Sequence, residues 1–219
     1  MSILQRTPKA VLFDLDGLLI NSEIVWYQLY QDLLGPYGKG FTLDEYTGEY
    51  CGRTAKKNLT DIVNRFELPM TPDEAIEFCR TDELKYLERG IPLKDGALEL
   101  IQTLRAKGTK VILATSSIRG RAVGILEKDK VFHLFDDGVY GPEVPHSKPA
   151  PDVFLIGCQK AGVAPEDALV LEDSEAGILA ANAAGIPVIC IPDLKQPSDK
   201  VKKGCAAVLP SLRDVIPLV

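Results

Sequence analysis

From about residue 93 to about residue 210, short apolar segments alternate with amphipathic helical patterns. The apolar segments read KVILATSS, ALVLEDS, PVICI and AAVL, and the helical ones read KDGALELIQTLRAKG, APDVFLIGCQKAG and EAGILAANAAG. Each helical pattern closes on a glycine (Gly108, Gly162 and Gly185), which is typical of a helix C-terminus. Apolar strands that alternate with helices predict an α/β domain whose parallel sheet is covered on both faces.

The segment before residue 93 has a different character. An apolar strand, AVLF at residues 10–13, comes first, and helical patterns then follow one another between residues 22 and 91. TLDE at 42–45 and TPDE at 71–74 are capping boxes, so each predicts the start of a helix. No convincing strand pattern interrupts this segment.

These two patterns divide the chain into two domains. We predict an α/β core formed by residues 1–20 and 93–219, interrupted after its first strand by an all-helical cap domain of residues 21–92. A chain of 219 residues is long enough for a core domain plus a smaller one. The size and position of the insert are typical of a lid.

Composition limits the setting and the partners of the protein. No apolar run approaches the ~18 residues of a membrane helix, and the N-terminal sequence MSILQRTPKA lacks the apolar stretch of a signal peptide. The net charge of −6, without a basic block, disfavours nucleic acid and anionic membranes as partners. The five cysteines are widely spaced, which fits a reduced cytoplasm. We expect a cytoplasmic protein, and a monomer because no interface pattern is visible.

Polar side chains stand where the apolar strands stop, and one lysine stands just before a helix. They are Asp14 and Asp16, Thr115 with Ser116 and Ser117, Glu172 with Asp173, and Lys148. Because ligands bind beyond the carboxyl ends of the strands in open α/β sheets, we expect these side chains to converge on one site.

The chemistry of this set points to a phosphate ester and a divalent cation. Asp14 and Asp16 are two residues apart, so an extended backbone directs both to one side. Several oxygens gathered in this way suit Mg²⁺, which shares its ligands with phosphate. Lys148 and the hydroxyl groups suit the other phosphate oxygens. One aspartate can attack phosphorus while the other gives a proton to the leaving alcohol.

Each signal also has an ordinary structural interpretation when it is taken alone. DLDG can be an Asp-Gly hairpin turn, although a turn does not explain Asp14. TSS can be a helix N-cap, Lys148 a solvated lysine, and Glu172-Asp173 a strand end with a capping acid. A calcium loop is disfavoured because leucines occupy positions 18 and 19, where that loop needs an acid and a glycine. The order of all four signals, each at a strand or helix junction, favours a shared site.

These residues resemble the haloacid dehalogenase superfamily of aspartyl-phosphate phosphotransferases over essentially the whole chain. Four motifs carry the resemblance in order: DLDG, TSS, KPAPD and EDSEAG. The helical insert after the first strand is similar to the small α-helical cap of the β-phosphoglucomutase-like and phosphatase branch. The resemblance implies a Rossmann-like parallel-sheet core that carries this cap.

The resemblance also implies roles for the motif residues. Asp14 is implied as the nucleophile and Asp16 as the general acid and base, while Thr115, Ser116 and Lys148 hold phosphate. The dehalogenases proper lack the second aspartate of the first motif, so Asp16 argues against cleavage of carbon–halogen bonds.

A metal site is implied in the same way. The resemblance implies Mg²⁺ held by the Asp14 carboxylate, the Asp16 backbone carbonyl and Asp173, with Glu172 beside it. All four residues are therefore predicted to form the metal centre.

The sequence departs from the family pattern at two positions. Asn21 in NSE stands where many relatives have an ionisable aspartate, and Trp26 stands about where β-phosphoglucomutase has a histidine. The second departure favours a phosphatase over a mutase.

One residue of the cap domain is also a candidate for binding the substrate. The branch often has a Gly-Arg-like pair in a cap loop that reaches the substrate, and Gly52-Arg53 matches it here. Arg53 would clamp a polar or charged end of the substrate, or it is an ordinary surface arginine before a helix.

Three functions follow from these observations. The first is a Mg²⁺-dependent phosphatase of a small phosphorylated metabolite, such as a sugar phosphate, which we favour. The second is a phosphomutase of the β-phosphoglucomutase kind, and the third is a non-catalytic binding or regulatory protein on the same fold. The presence of both Asp14 and Asp16 argues against the third.

Overall fold

The structure of the chain, a computed structural model, describes residues 6–219. The chain divides into two compact units, of which the first comprises Met1–Asn21 and Pro92–Val219 and the second comprises Ser22–Ile91. We call them the core unit and the helical unit. None of the helices among residues 6–219 is both long and apolar enough to cross a membrane.

Strands and helices are numbered along the chain. The strands are β1 (Ala10–Phe13), β2 (Lys110–Thr115), β3 (Asp137–Tyr140), β4 (Ala168–Glu172), β5 (Val188–Cys190) and β6 (Ala207–Val208). The α-helices are α1 (Ser22–Leu34), α2 (Leu43–Glu49), α3 (Ala55–Arg65), α4 (Pro72–Arg89), α5 (Ala97–Ala106), α6 (Arg119–Lys128), α7 (Asp152–Ala161), α8 (Glu175–Ala183) and α9 (Asp199–Lys202). Short 3₁₀ helices cover Gly35–Tyr37, Phe132–Leu134, Gly141–Glu143, Pro165–Asp167 and Leu212–Leu218.

The core unit is built on one parallel sheet with the strand order β3-β2-β1-β4-β5-β6. The chain moves outward from β1 through β2 to β3 and then returns to the other side of β1 with β4. A reversal of this kind leaves a crevice beyond the carboxyl ends of the two central strands, where open α/β sheets bind ligands. The predicted α/β fold with a parallel sheet is confirmed.

Both faces of the sheet are buried because helices cover each of them. Successive strand residues point to opposite faces, and every residue of β1 is fully buried. On one face, Leu12 packs in a cluster with Phe154 of α7 and Ile178 of α8. On the other face, α5 packs against β2.

The strand register sets the level at which each strand ends. Phe13, the last residue of β1, is aligned with Leu113 in β2 and with Leu171 in β4. The residues one position further along these three strands therefore stand side by side at the carboxyl edge of the sheet. They are Asp14, Ala114 and Glu172.

The helical unit contains α1 to α4, and both predicted capping boxes are present in it. The Thr42 hydroxyl accepts the N–H of Glu45, whose carboxylate accepts the N–H of Thr42 at 2.8 Å. Thr71 and Glu74 make the same pair of bonds, with a distance of 2.7 Å for the second. Because each box satisfies two N–H groups at a helix N-terminus, these four residues determine where α2 and α4 begin.

Besides the four-residue α9 and the 3₁₀ helices, two elements of the core unit are absent from the sequence prediction. One is β3, which reads DGVY and contains an aspartate and a glycine, residues depleted in strands. The other is α6, which contains Gly120 and Gly124, and glycine is a weak helix former. Neither segment carries a strong local signal, so pairing with β2 and packing in the core determine their structure.

Candidate active site

Lys148 joins the three residues that stand level at the ends of β2, β1 and β4. Its Nζ donates to Asp14 Oδ1 at 2.5 Å, to Glu172 Oε1 at 2.6 Å and to the backbone oxygen of Ala114 at 3.1 Å. The Lys148 side chain is 6% exposed, and the side chains of Asp14 and Glu172 are 9% and 1% exposed. One ammonium group therefore faces two nearly buried carboxylates.

Asp16 lies on the loop after β1 and has different partners. The Ser117 hydroxyl donates to Asp16 Oδ2 at 2.6 Å, and the Arg121 guanidinium donates to the same oxygen at 2.9 Å. The guanidinium also lies 2.9 Å from Oδ1, without hydrogen-bond geometry there. The Asp16 side chain is 32% exposed. The two aspartates of DLDG thus differ, since Asp14 is enclosed and Asp16 is partly open.

The hydroxyl groups of TSS lie at the end of β2. Thr115 is the last residue of that strand and is almost fully buried. Its Oγ1 accepts the backbone N–H of Ser117 at 3.0 Å, which leaves the proton of the Thr115 hydroxyl for another acceptor. Ser116 is exposed. Thr115 therefore has the better-ordered hydroxyl of the two predicted phosphate ligands.

Glu172 is held by several groups of the protein. Its Oε1 accepts from Lys148, while its Oε2 accepts the backbone N–H groups of Asp173 and Ser174, both at 2.9 Å, and the Ser174 hydroxyl at 3.0 Å. A Cβ at Gly177 would lie 1.7 Å from Oε1, so only glycine fits there. Both oxygens of Glu172 therefore already accept hydrogen bonds, and its predicted role as a metal ligand stays a prediction.

Asp173 packs directly against the loop after β1. Gly17 has a φ of +82°, and a Cβ at this position would lie 2.3 Å from Asp173 Oδ2. The carbonyl oxygen of Gly17 accepts from Lys94 Nζ at 2.6 Å, and the same ammonium donates to Asp193 Oδ1 at 2.8 Å. Gly17 of DLDG is thus required both for its backbone conformation and for the close approach of Asp173.

Burial dominates the electrostatics of the site. It raises the pKa of Asp14 to about 7, a change that Lys148 opposes and Glu172 strengthens. Burial also raises the pKa of Asp173 well above its ordinary value, and the Glu172 and Asp14 carboxylates raise it further. Burial disfavours the charged form of Lys148, but the two carboxylates beside it outweigh burial and raise its pKa. The carboxylates of the site therefore lack sufficient positive charge from the protein alone.

The donor set fits a hard divalent cation that keeps some of its own water. Within residues 6–219, Asp173 Oδ1 is buried and has no hydrogen-bond partner. In the same part of the chain, no three His, Cys, Asp or Glu side chains form a group that could hold a metal by themselves. A set of two carboxylates and one backbone carbonyl agrees with both findings, because Mg²⁺ uses few carboxylates and completes its shell with water and phosphate.

Ser117, one of the polar residues predicted at the strand ends, contacts Asp16. The sequence prediction missed three other residues that contact these groups: Arg121 on Asp16, Lys94 on Gly17, and Asp193 on Lys94. Asp193 follows the apolar strand PVICI. The expectation that polar side chains at strand ends form the site therefore also applies to Asp193. Arg121 lies in α6 and Lys94 at the start of a helical pattern, and a basic residue at either place gives no local sign of such a contact.

Arg53 lies in the helical unit, between α2 and α3. Its NH1 donates to the backbone oxygen of Glu49 at 2.6 Å, and its NH2 forms an ion pair with Asp61. The side chain is 24% exposed, and its buried Nε has no hydrogen-bond partner among the described residues. The predicted contact with substrate stays a prediction.

The chain matches a known protein family over most of its length. The family model of haloacid dehalogenase-like hydrolases matches residues 11–191, from β1 to the end of β5. The chain belongs to this family. The matched residues include Asp14, Thr115, Lys148 and Glu172.

Individual relatives of the haloacid dehalogenase-like family are similar over most of the chain. A Drosophila melanogaster protein named "Probable pseudouridine-5'-phosphatase" is 34% identical over 212 residues, which cover 94% of this chain and 90% of that protein. The "Phosphorylated carbohydrates phosphatase" of Thermotoga maritima is 28% identical over 178 residues, covering 81% and 82%. This haloacid dehalogenase-like hydrolase therefore lies in the phosphatase branch and is a phosphatase, as the motifs imply.

A solved structure agrees with this assignment. A haloacid dehalogenase family hydrolase from Deinococcus radiodurans R1, crystallised with bound phosphate and sodium, matches with a TM-score of 0.81 and 25% identity. The match covers 98% of this chain and 99% of that one. The likeness thus extends over both the sheet and the helical insert.

Proposed function

We propose that this phosphatase hydrolyses the phosphate monoester of a small sugar-containing metabolite, with a divalent cation, through a phosphorylated Asp14. One observation carries the proposal. Asp14 stands at the carboxyl end of the central strand β1, level with Glu172, and Lys148 lies 2.5 Å from its carboxylate. A carboxylate enclosed beside a fixed ammonium is placed to attack a phosphoryl group whose negative charge the ammonium also attracts.

The first half-reaction transfers the phosphoryl group to Asp14. An oxygen of the Asp14 carboxylate forms a bond to phosphorus while the bond between phosphorus and the alcohol oxygen breaks. Asp16 gives its proton to that alcohol oxygen, so the product leaves as a neutral alcohol. Lys148 and the Thr115 hydroxyl hold the oxygens of the phosphoryl group during the transfer.

The second half-reaction returns the enzyme to its starting state. A water molecule attacks phosphorus and gives its proton to Asp16, while the bond between phosphorus and Asp14 breaks. Inorganic phosphate leaves, the Asp14 carboxylate is regenerated, and Asp16 is again protonated. Ser117 and Arg121 orient the Asp16 carboxyl group through their hydrogen bonds to Oδ2.

The residues that would hold the cation are the Asp14 and Asp173 carboxylates and the backbone carbonyl of Asp16. When bound, Mg²⁺ supplies positive charge that lowers the repulsion between an anionic phosphate ester and these carboxylates. Glu172 lies outside this proposed ligand set, since its oxygens already hold Lys148 and the backbone of the following residues.

The names of the relatives support the substrate class. One is named for pseudouridine 5'-phosphate and another for phosphorylated carbohydrates, and both kinds of compound carry a phosphate on a sugar. We therefore place sugar phosphates and nucleoside monophosphates first in a substrate screen.

A phosphatase assay tests the proposal directly. Purified protein is assayed with p-nitrophenyl phosphate and with a panel of sugar phosphates, in EDTA and then with added Mg²⁺. We expect phosphate release that depends on Mg²⁺ and that falls to a trace in Asp14→Asn, because an amide is not a nucleophile for phosphorus. Asp214→Asn, at an exposed aspartate of the same unit, is the matched control and should keep the wild-type rate.

Three results would overturn the proposal. Isomerised sugar phosphate without matching release of inorganic phosphate would identify a mutase. Full activity in Asp14→Asn would exclude Asp14 as the nucleophile. Absence of turnover on every phosphate ester, with the protein folded, would favour a non-catalytic role.

A further inference from the structure

Lys94 joins three segments of the core unit. It lies in the short antiparallel pairing between the chain that leaves the core and the chain that returns to it, where Ile20 pairs with Leu93. The backbone N–H of Lys94 donates to the carbonyl of Leu19 at 2.8 Å. Its side chain then reaches back to the Gly17 carbonyl and across to Asp193, which follows β5. One ammonium group thus ties the loop after β1, the returning chain and the loop after β5 together.

Gly17 is held from two sides by these contacts. Its N–H donates to the carbonyl of Ile20 at 3.2 Å, and its own carbonyl accepts from Lys94 at 2.6 Å. The N–H of Gly17 belongs to the same planar peptide as the carbonyl of Asp16, and the two groups point in opposite directions. Any movement of Gly17 therefore moves the Asp16 carbonyl with it.

Gly17 also contacts Asp173, whose carboxylate is one of the proposed ligands of the cation. The 2.3 Å between a Cβ built on Gly17 and Asp173 Oδ2 means that the Gly17 backbone and this carboxylate are packed without free space between them. The position of Gly17 hence determines the distance between the Asp16 carbonyl and the Asp173 carboxylate.

Lys94 is itself fixed rather than mobile in solvent. Its side chain is 16% exposed and that of Asp193 is 11% exposed. Asp193 Oδ2 is buried, and no described residue offers it a hydrogen bond. This carboxylate therefore depends on Lys94 as its partner, and the pair is far more enclosed than the ion pair of Lys9 with Asp167, where the lysine is 68% exposed.

We propose that Lys94, held by Asp193, is a positioning residue that keeps the Asp16–Gly17 peptide against Asp173 and so maintains the geometry of the cation site. The inference rests on the proposed function, because that function requires the cation. It adds residues outside the four motifs to the parts of the chain on which cation binding depends.

The test measures cation binding without turnover. Thermal unfolding of the wild-type protein, of Lys94→Met and of Lys94→Arg is followed at about pH 8 over a range of Mg²⁺ concentrations, after EDTA treatment and without substrate. We define the Mg²⁺ midpoint as the apparent Kd fitted to the dependence of Tm on Mg²⁺ concentration. We expect Lys94→Met to raise this midpoint by roughly tenfold or more, the size of effect seen when a group that orients metal ligands is lost. Lys94→Arg should restore part of this affinity. Lys9→Met is the control and should leave the Mg²⁺ midpoint at its wild-type value.

A second variant covers the case in which Lys94→Met fails to fold. Lys94→Met leaves Asp193 buried and unpaired, which is strongly destabilising, whereas Lys94→Met with Asp193→Asn removes both charges. We expect this double variant to fold and to show the same raised Mg²⁺ midpoint.

The outcomes separate the inference from the proposed function. If Mg²⁺ does not raise the Tm of the wild-type protein, the cation site itself is wrong. If it does, but the midpoint of the folded Lys94 variants is unchanged, Lys94 has a structural role only. A lower midpoint would also overturn the inference, because it would mean that the ammonium acts by repelling the cation.

Discussion

Replacement of Lys148 by methionine tests the electrostatic account of the site most directly. Methionine keeps most of the apolar stem and removes the ammonium group, so three acceptors lose their donor at once. Two of them are the carboxylates of Asp14 and Glu172, which are 9% and 1% exposed and cannot be solvated in exchange. Loss of one partner from a buried ion pair costs ~3–5 kcal/mol. We expect a loss of this size in the free energy of unfolding at about pH 8.

The loss should depend on pH. In the wild-type protein, burial raises the pKa of Asp14 from 3.8 in the unfolded chain to about 7. The proton on Asp14 therefore stabilises the fold fully below pH 3.8, and this contribution is lost as the pH rises from 3.8 through about 7. Because Lys148 lowers that pKa, its removal raises the pKa further and increases the penalty for ionising Asp14. The difference between Lys148→Met and wild type should therefore be larger at about pH 8 than at about pH 5.5.

The assay is urea unfolding followed by far-UV circular dichroism, in EDTA, at both pH values. Lys9→Met is the control, since its ion pair with Asp167 is on the surface, where such pairs contribute ~0–1 kcal/mol. Combining Lys148→Met with Glu172→Gln should recover part of the loss, with a coupling of ~0.5–3 kcal/mol for groups in contact. A loss in Lys148→Met no greater than that in Lys9→Met, or one without pH dependence, would refute the reasoning.

Three further predictions concern the cation, the acid and the helical unit. Mg²⁺ should raise the Tm of the wild-type protein more at about pH 8 than at about pH 5.5, because Asp14 is ionised only above its pKa of about 7; equal shifts in thermal melts at both pH values would contradict this. Asp16→Asn should slow hydrolysis of alkyl phosphates by ~10²–10⁴-fold but affect the first turnover of p-nitrophenyl phosphate less, since p-nitrophenol leaves without a proton; equal losses in rapid-mixing experiments would argue against Asp16 as the acid. Arg53→Ala should lower kcat/KM on the physiological substrate by roughly tenfold or more, from the loss of a charge-assisted hydrogen bond, and hardly change it on p-nitrophenyl phosphate. Asp61→Asn, which breaks the ion pair but keeps Arg53, is its control, and equal losses on both substrates in Arg53→Ala would mean that Arg53 acts through the fold.

Local patterns were sufficient wherever the cause of a structure lies within a few residues. The capping boxes of α2 and α4 form because Thr42 and Thr71 find their partners three residues away. Gly162 closes α7 with a φ of +69°, a conformation that glycine adopts without a steric penalty. Periodicity therefore predicted most helices, the apolar strands and the point at which each strand ends.

Local sequence patterns did not predict the elements and contacts that depend on residues far away in sequence. The strand β3, with the sequence DGVY, forms because β2 offers it an edge to pair with. The side chain of Arg121 meets Asp16, 105 residues away in sequence, and Lys94 meets Asp193 at a separation of 99 residues. No local signal encodes contacts of this kind.

The sequence alone determined which chemical groups this protein has and that they stand at the ends of strands, because apolar strands, helix caps and glycine stops act over short distances. Only the tertiary structure decided which of those groups contact one another and how each changes the pKa of its neighbours. The register of β2, β1 and β4 brings Asp14 and Glu172 to one level, where both share a single ammonium from Lys148. Burial of that cluster, a property of the whole fold, then raises the pKa of Asp14 and so disfavours its charged form.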